Sequence, residues 1–159
     1  MTDVVVQAVF DCNIFAQAII TPLGNAGRCV ERVLDGRVGL YWSSYVLAEI
    51  RSIPEKPTPK RLGVTADQVE SLIARLIPVA HLLENPPSVY QHPIDPKDSH
   101  YVDLAIAADA KLIVSRDKHM LNLVNPAKAA SWQFRARFPN LVVLQPEQLL
   151  ELLRATASG

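Results

Sequence analysis

The chain has 159 residues, with 16 Lys and Arg against 16 Asp and Glu, which is the size of one domain with a substantial core. Because the net charge is zero, no overall attraction to nucleic acid or membrane is expected, and any site for a polyanion must be built locally. No apolar run approaches the roughly 20 residues of a membrane helix and the N-terminus lacks the features of a signal peptide, so we predict a single cytoplasmic domain over residues 1–159 with no membrane partner.

Short apolar runs alternate with amphipathic segments in the first third of the chain. Residues 4–10 are apolar at nearly every position, which is typical of a central strand buried on both faces. Gly36 stands where a helix commonly ends, and Ser43 or Ser44 can cap the helix that follows. The predicted elements are a strand at 4–10, helices at 14–20 and 26–34, a strand at 38–42 and a helix at 45–53.

The alternation continues to the end of the chain. Residues 54–59 contain prolines and a lysine and predict a loop, and Thr65 with Gln68 forms a capping-box pattern. Residues 125–140 carry no clear pattern. The predicted elements are a helix at 65–77, a strand at 79–83, a helix at 101–110, a strand at 112–114, a short helix after Asp117, a strand at 141–144 and a helix at 147–154. Strands that alternate with helices predict an α/β fold with a parallel sheet covered on both faces.

Four acidic residues stand at or near the ends of these elements. Asp11 follows the first strand and Asp117 follows the strand at 112–114, so both should lie at one edge of the sheet, where α/β proteins bind ligands. Asp98 precedes the helix leading into that strand, and Glu49 lies on the helix after the second strand. Converging carboxylates repel one another, and Mg²⁺ or Mn²⁺, which prefer oxygen ligands, would remove that penalty. Such a cluster suits phosphodiester hydrolysis.

Other kinds of active site lack their signatures in this sequence. No Gly-rich phosphate loop follows the first strand, and no Ser or Cys stands in a nucleophile elbow. The four histidines lack the spacing of zinc ligands. Cys12 and Cys29 form no CxxC pattern and are expected to be reduced thiols in the core.

The segments around the four acids carry a family resemblance. The sequence VFDCNIF contains Asp11, SSYVLAEI contains Glu49, DPKDSHYVDLAIAADA contains Asp98, LIVSRDKHML contains Asp117, and VVLQPEQLLELL lies near the end. In this order the chain resembles the PIN-domain family, and in particular its VapC-like toxins of toxin–antitoxin pairs.

The resemblance implies a fold, an activity and partners. The fold is a three-layer α/β/α sandwich around a central, mostly parallel sheet of about five strands. The activity is that of a Mg²⁺- or Mn²⁺-dependent ribonuclease that cleaves RNA. The resemblance also implies an antitoxin protein as partner and a homodimer. The catalytic residues, which would all be metal ligands, are Asp11, Glu49, Asp98 and Asp117.

Supporting roles follow from the same resemblance. Asn13 and Ser115 would orient Asp11 and Asp117, as metal ligands commonly require. Ser115 stands where the family often has Thr, a change that keeps the hydroxyl group.

The region of Asp98 departs from the family pattern in one respect. Ser99 stands where many members have a further Asp or Asn, which puts one outer ligand in doubt. Asp103 is five residues from Asp98 and therefore not on the same helix face. We expect Asp98 to be the ligand, with Asp103 beside the site in an outer position or in a salt bridge.

Simpler interpretations of these residues remain open at this point. Asp11 could merely cap the following helix, and Glu49 could be an ordinary solvent-facing residue. Asp95 is interpreted as a turn residue only. His100 and His119 are interpreted as surface or substrate-contacting residues.

Basic and aromatic segments could contact an RNA backbone or its bases. The segment 132–138 contains Trp132, Phe134, Phe138 and two arginines, although core aromatics with solvated arginines are at least as good an explanation. The alternative to a ribonuclease is a PIN-like module that binds RNA or a protein without cleavage. The residues assigned to RNA contact are Arg51, Lys60, Arg61 and Arg116, with Lys56 near them.

Overall fold

A parallel sheet organises the fold. The computed structural model describes residues 5–157, so Val4, in the predicted first strand, lies outside the described residues. The strands are β1 (Val6–Phe10), β2 (Val38–Ser43), β3 (His81–Leu83), β4 (Leu112–Val114) and β5 (Val142–Leu144). All neighbouring strands pair in parallel, in the order β3-β2-β1-β4-β5. The predicted α/β sandwich with about five strands is confirmed.

Helices cover both faces of this sheet. They are α1 (Cys12–Ile20), α2 (Asn25–Leu34), α3 (Ser44–Arg51), α4 (Pro57–Arg61), α5 (Ala66–Leu76), α6 (Ser99–Ala108), α7 (Lys118–Leu121), α8 (Ala129–Arg137) and α9 (Pro146–Ala157), with 3₁₀ turns at Ile53–Glu55, Pro96–Asp98 and Asn122–Val124. Helix α6 packs on β1, β2 and β4, while α1, α2, α5 and α9 pack together in the other layer. Within residues 5–157, no helix is long and apolar enough to cross a membrane.

Strand β1 lies at the centre of the sheet and leads to the first acid. Ala8, Val9 and Phe10 are all buried in succession, as expected for a strand covered on both faces. The strand order reverses between β1 and β4, and parallel α/β sheets bind ligands at the carboxyl ends of the strands that flank such a reversal. Asp11 leaves β1 at this point, and Asp117 comes three residues after the end of β4.

Several predicted boundaries are confirmed by the local contacts. The Ser43 hydroxyl accepts a hydrogen bond from the backbone N–H of Val46 and so caps α3. Thr65 and Gln68 form the predicted capping box at the start of α5. Gly36 has a φ of +86° just after α2, a conformation that glycine adopts without steric penalty.

Other predicted boundaries are wrong. Residues 54–59 form part of a 3₁₀ turn and of α4, not a loop, because Pro54 and Pro57 occupy first-turn positions that tolerate proline. The unassigned segment 125–140 contains α8. The helix predicted at 101–110 spans Ser99–Ala108, and it ends where Asp109 takes a left-handed conformation with a φ of 52°.

Helix α2 packs so closely against the turn that precedes it that Gly27 has no room for a side chain. A Cβ atom at Gly27 would lie 1.9 Å from the carbonyl oxygen of Pro22. We therefore expect Gly27→Ala to lower the free energy of unfolding by about 2 kcal/mol or more, because the turn must move to relieve the clash. Urea denaturation measures the change. The control, Arg28→Ala at the exposed neighbouring position, should change it by less than about 0.5 kcal/mol, and equal effects of the two substitutions would contradict this explanation.

Candidate active site

Acidic side chains meet in a cleft at the carboxyl ends of β1 and β4. This cavity has a volume of about 700 Å³ and is called here the acidic cleft. The four acids predicted from the sequence all line it, together with a fifth, Asp95. The acidic residues of the cleft are Asp11, Glu49, Asp95, Asp98 and Asp117.

Asp95, Asp98 and Asp117 form the tightest group in the cleft. One carboxylate oxygen of each lies within 4.8 Å of the others, and all three residues are half-buried. Sequence analysis missed Asp95 because an Asp before proline is a common turn residue. The available signal was its spacing from Asp98, since residues three apart lie on the same side of a 3₁₀ turn, and the Asp98 N–H closes that turn on the Asp95 carbonyl at 3.0 Å.

Ser115 connects Asp11 to Asp117. Its hydroxyl donates a 2.7 Å hydrogen bond to Oδ2 of Asp11 and accepts a 3.0 Å hydrogen bond from the backbone N–H of Asp117. The parallel pairing of β1 with β4 places Asp11 beside Ser115. The backbone N–H of Asp11 donates to the Val114 carbonyl at 2.9 Å and so extends the hydrogen bonding between the two strands. Asp11 is also the N-cap residue of α1, and the backbone N–H of Asn13 in the first turn lowers its pKa. Its strongest polar contact is nevertheless with Ser115, on the β4 side of the site.

Crowding changes the ionisation of the cleft aspartates. Burial raises the pKa of Asp11, and the charges of Asp117 and Glu49 add to this, while the Ser115 hydrogen bond opposes it. Burial and then the charges of Asp11, Asp95 and Asp117 raise the pKa of Asp98 to about 7. Both pKa values are raised for the same reason: several negative charges repel one another in a partly buried space. An oxygen-binding divalent cation would relieve that repulsion, so this donor set fits Mg²⁺ or Mn²⁺.

Glu49 is held differently from the aspartates. Its Oε2 accepts a 2.8 Å hydrogen bond from the Tyr101 hydroxyl, and its Oε1 is hydrogen-bonded to Nε2 of His100. Burial would raise the pKa of Glu49, but the bonds from His100 and Tyr101 and the charge of Lys56 outweigh burial and hold it below its usual value. The Tyr101 hydroxyl in turn accepts the backbone N–H of Cys12 at 3.0 Å. Glu49 is thus an anchored carboxylate.

Sequence analysis missed both donors to Glu49. His100 was expected at the surface or against substrate, but its side chain is only 19% exposed and it contacts Glu49. Tyr101, fully buried, was interpreted only as part of an apolar helix. Their positions next to Asp98, at the start of α6, were the only signal in the sequence.

A buried histidine fixes the loop that carries Asp95. His92 is 1% exposed, and its Nδ1 accepts hydrogen bonds from the backbone N–H groups of Ile94 and Asp95 at 3.1 and 3.0 Å. Because Nδ1 accepts, the ring proton is assigned to Nε2, which donates to the His119 carbonyl at 3.0 Å. The imidazole thereby ties Asp95 to the helix that follows Asp117.

Two predicted supporting residues have other contacts. Asp103 does not line the acidic cleft; its Oδ1 accepts the backbone N–H groups of Val89 and Tyr90, both at 2.9 Å, and so anchors the loop before Asp95. The expected outer position or salt bridge of Asp103 stays a prediction. Asn13 lines the acidic cleft, where its Oδ1 accepts a hydrogen bond from the backbone N–H of Arg116 at 3.4 Å.

Of the cations predicted to contact RNA, Lys56 lines the acidic cleft, whereas Arg51, Lys60, Arg61 and Arg116 do not. Arg51 forms an ion pair with Glu70 at 2.8 Å, and Arg116 is bonded to Gln17 at 2.6 Å and to Glu147. Lys60 and Arg61 are exposed at the end of α4. Among the described residues, the lysines that line the cleft are Lys56 and Lys97.

The aromatic segment 132–138 belongs partly to the core. Phe134 is buried, and its ring and that of Phe138 lie 5.5 and 5.8 Å from Tyr90. Arg137 lies over the Phe138 ring at 4.9 Å. Trp132, 65% exposed, is the member of the segment whose ring remains at the surface.

Known proteins place this chain in a family. The family model described as PIN domain matches residues 7–119, and the chain belongs to the PIN domain family, as its resemblance implied. The uncharacterized protein MJ1680 of Methanocaldococcus jannaschii is 22% identical over 123 residues, which cover 77% of this chain and 78% of that protein. A chain in the crystal structure of VapBC2 from Rickettsia felis, bound to a DNA fragment from their promoter, superposes with a TM-score of 0.53 at 15% identity, over 88% of this chain and 98% of that chain. At this identity the superposition is evidence for the fold.

The raised pKa of Asp98 predicts how the stability of the metal-free protein depends on pH. At any pH between 3.8, the ordinary pKa of aspartate, and about 7, the pKa of Asp98 in the folded protein, folded Asp98 keeps a proton that the unfolded chain has lost. Its contribution to the free energy of unfolding should therefore fall as pH rises through this window. Urea denaturation of the wild-type protein and of Asp98→Asn, in EDTA, isolates this contribution. A difference between the two that stays constant from pH 4 to pH 7 would contradict the assignment.

The Ser115 bridge predicts a second stability effect. Ser115→Ala should lower the free energy of unfolding by about 2 kcal/mol, because it leaves a buried carboxyl group and a backbone N–H without their partner. Ser115→Thr keeps the hydroxyl and should lie closer to the wild type in urea denaturation. Equal stability of Ser115→Ala and the wild type would show that the bridge is not stabilising.

Proposed function

We propose that this protein is a metal-dependent ribonuclease whose catalytic centre is the acidic cleft. The observation that carries the proposal is the convergence of Asp95, Asp98 and Asp117 within 4.8 Å beside Asp11 and Glu49, in a PIN-domain fold. The raised pKa of Asp98 supports it, since a carboxylate cluster that resists ionisation gains most from a bound cation.

The ligands of the ion would come from both halves of the chain. Asp95, Asp98 and Asp117 are the proposed nearest ligands, and Asp11 and Glu49 complete the set. A bound Mg²⁺ or Mn²⁺ would polarise the phosphodiester and neutralise the negative charge that develops on it. The protein contributes the positions: Ser115 fixes Asp11 relative to Asp117, and the His100 and Tyr101 hydrogen bonds hold Glu49 in a single orientation.

Lysines at the cleft would bring the substrate to this centre. Lys56 and Lys97 line the cleft and can attract the phosphates of a nucleic acid. Because the chain as a whole has no net charge, the attraction would be local and would weaken with added salt. This supports a short contact with the RNA backbone close to the cut site.

We further propose that the protein acts as a toxin with an antitoxin partner. The support is the family membership and the superposition on a chain of VapBC2, whose structure contains both components and promoter DNA. A partner segment that placed an arginine in the acidic cleft would neutralise the same carboxylates that bind the ion. We propose that the protein forms a homodimer and that it also binds such a partner.

A non-cleaving module is the second candidate. It is favoured by Ser99, whose hydroxyl accepts the backbone N–H of His92 at 2.7 Å and so serves the fold where many PIN domains have a further Asp or Asn. Calorimetry with Mn²⁺ separates the two candidates, because retained RNA binding without Mn²⁺ binding would favour the module.

The ribonuclease proposal predicts metal-dependent cleavage. Purified protein should cleave single-stranded RNA with Mg²⁺ or Mn²⁺ and stop in EDTA. Asp11→Asn and Asp117→Asn should each lower kcat by more than about 100-fold, because a ligand contributes at least as much as the groups that orient it. Gel assays with end-labelled RNA measure this.

The matched control is Asp35→Asn. Asp35 is an exposed aspartate at the end of α2, paired with Arg32, and its loss should leave cleavage unchanged. Undiminished cleavage in both Asp11→Asn and Asp117→Asn would refute the proposed centre.

A further inference from the structure

A second cavity opens directly beside the acidic cleft. It has a volume of about 260 Å³ and is called here the side pocket. The residues that shape it are Tyr45 on α3, Pro86 and Ser88 in the loop after β3, Pro96 and Lys97 in the 3₁₀ turn, and His100 on α6. Lys97 lines both cavities. A polymeric ligand bound in the acidic cleft could therefore extend directly into the side pocket.

Tyr45 presents an aromatic ring at the mouth of this pocket. It lies four residues before Glu49 on α3, so the two side chains are neighbours on one helix face. Tyr45 is 52% exposed, and its ring centroid lies 6.0 Å from that of His100, at an angle of 48°. His100 is itself fixed by Glu49 and by the Tyr101 ring at 4.2 Å. The pocket thus has one fixed ring and one solvent-exposed ring.

The pocket has the chemistry for an uncharged aromatic ligand. Its only carboxylate among the described residues, Asp103, already accepts two backbone N–H groups. The faces of Tyr45, Pro86 and Pro96 are suited to stacking on a flat ring. At about 30 Å³ per water molecule, the volume corresponds to about nine waters, close to the number of non-hydrogen atoms in one nucleobase.

We propose that the side pocket binds one base of a single-stranded RNA, next to the phosphate held in the acidic cleft. Tyr45 stacks on the base, and Lys97 binds the phosphate that links the two positions. Each nucleotide of an RNA chain carries one phosphate and one base. Two adjacent cavities, one for a phosphate and one for a base, therefore match a single nucleotide. The inference rests on the proposed function for the substrate class, and it makes Tyr45 a residue that determines which sequences are cut.

The test measures RNA binding without cleavage. A fluorescently labelled single-stranded RNA of random sequence is titrated, in the presence of Mn²⁺, with Asp117→Asn protein and with the same protein carrying Tyr45→Ala, Tyr45→Phe or Lys97→Ala. Tyr45→Ala should weaken binding by about tenfold at every salt concentration, because stacking carries no charge. Tyr45→Phe keeps the ring and should retain the affinity. Lys97→Ala should reduce the slope of log Kd against log salt by about 0.7, since it removes one phosphate contact on a single strand.

Leu23→Ala is the control. It removes an apolar side chain that is more exposed than Tyr45 but lines neither cavity, and it should not change binding. An equal loss of affinity for Leu23→Ala and Tyr45→Ala would overturn the proposal, as would unchanged affinity for Tyr45→Ala.

Cleavage by the otherwise wild-type chain distinguishes this inference from the proposed function. If the wild type cleaves the random RNA, sequencing of the product ends should show a base preference beside the cut that Tyr45→Ala loses. Tyr45-dependent binding without cleavage by the wild type would support the side pocket and refute the ribonuclease. Cleavage with the same base preference in Tyr45→Ala would refute the side pocket and leave the ribonuclease standing.

Discussion

Electrostatic repulsion among carboxylates at one end of the sheet is the constraint on which the rest of this structure depends. Five acids line a single cleft, and three of them bring oxygens within 4.8 Å. Without a cation, the fold accommodates this by letting Asp98 keep its proton up to a pKa of about 7. The carboxylates of Asp11, Glu49 and Asp117 each accept hydrogen bonds from protein donors.

Those donors divide the cleft into two kinds of carboxylate. Glu49 receives two side-chain hydrogen bonds, and Asp11 receives one from Ser115, so both are oriented whether or not an ion is present. Asp95 and Asp98 lie on a single 3₁₀ turn whose position depends on His92. A site with part of its ligands fixed in advance loses less conformational entropy when an ion binds.

The sequence was sufficient for the fold and for four of the acids because both follow from local patterns. An apolar strand of known direction determines which end of the sheet the next residue occupies, and this placed Asp11 and Asp117 correctly. Asp95 was missed because an Asp before proline is a common turn residue, and the contact of the buried His92 ring with the His119 carbonyl, which fixes the loop, joins positions 27 residues apart. The contacts of His100 and Tyr101 with Glu49 join positions about fifty residues apart in different helices, which no periodicity encodes. The hydrogen bonds of Asp103 could not be predicted for the same reason, since its partners lie in an irregular loop.

The pairing of β1 with β4 also has a consequence for how the protein folds. Phe10 lies beside Val114 in the sheet, and the Ser115 to Asp11 bond spans 104 positions in the chain. Contacts of such long sequence separation form late, because the intervening chain must first be ordered. A growing polypeptide can complete β1, β2 and their helices while Asp11 and Glu49 still lack the other acids. The acidic cleft is therefore assembled only when the chain beyond Asp117 is available to fold, and the order of synthesis delays the appearance of the site until most of the domain exists.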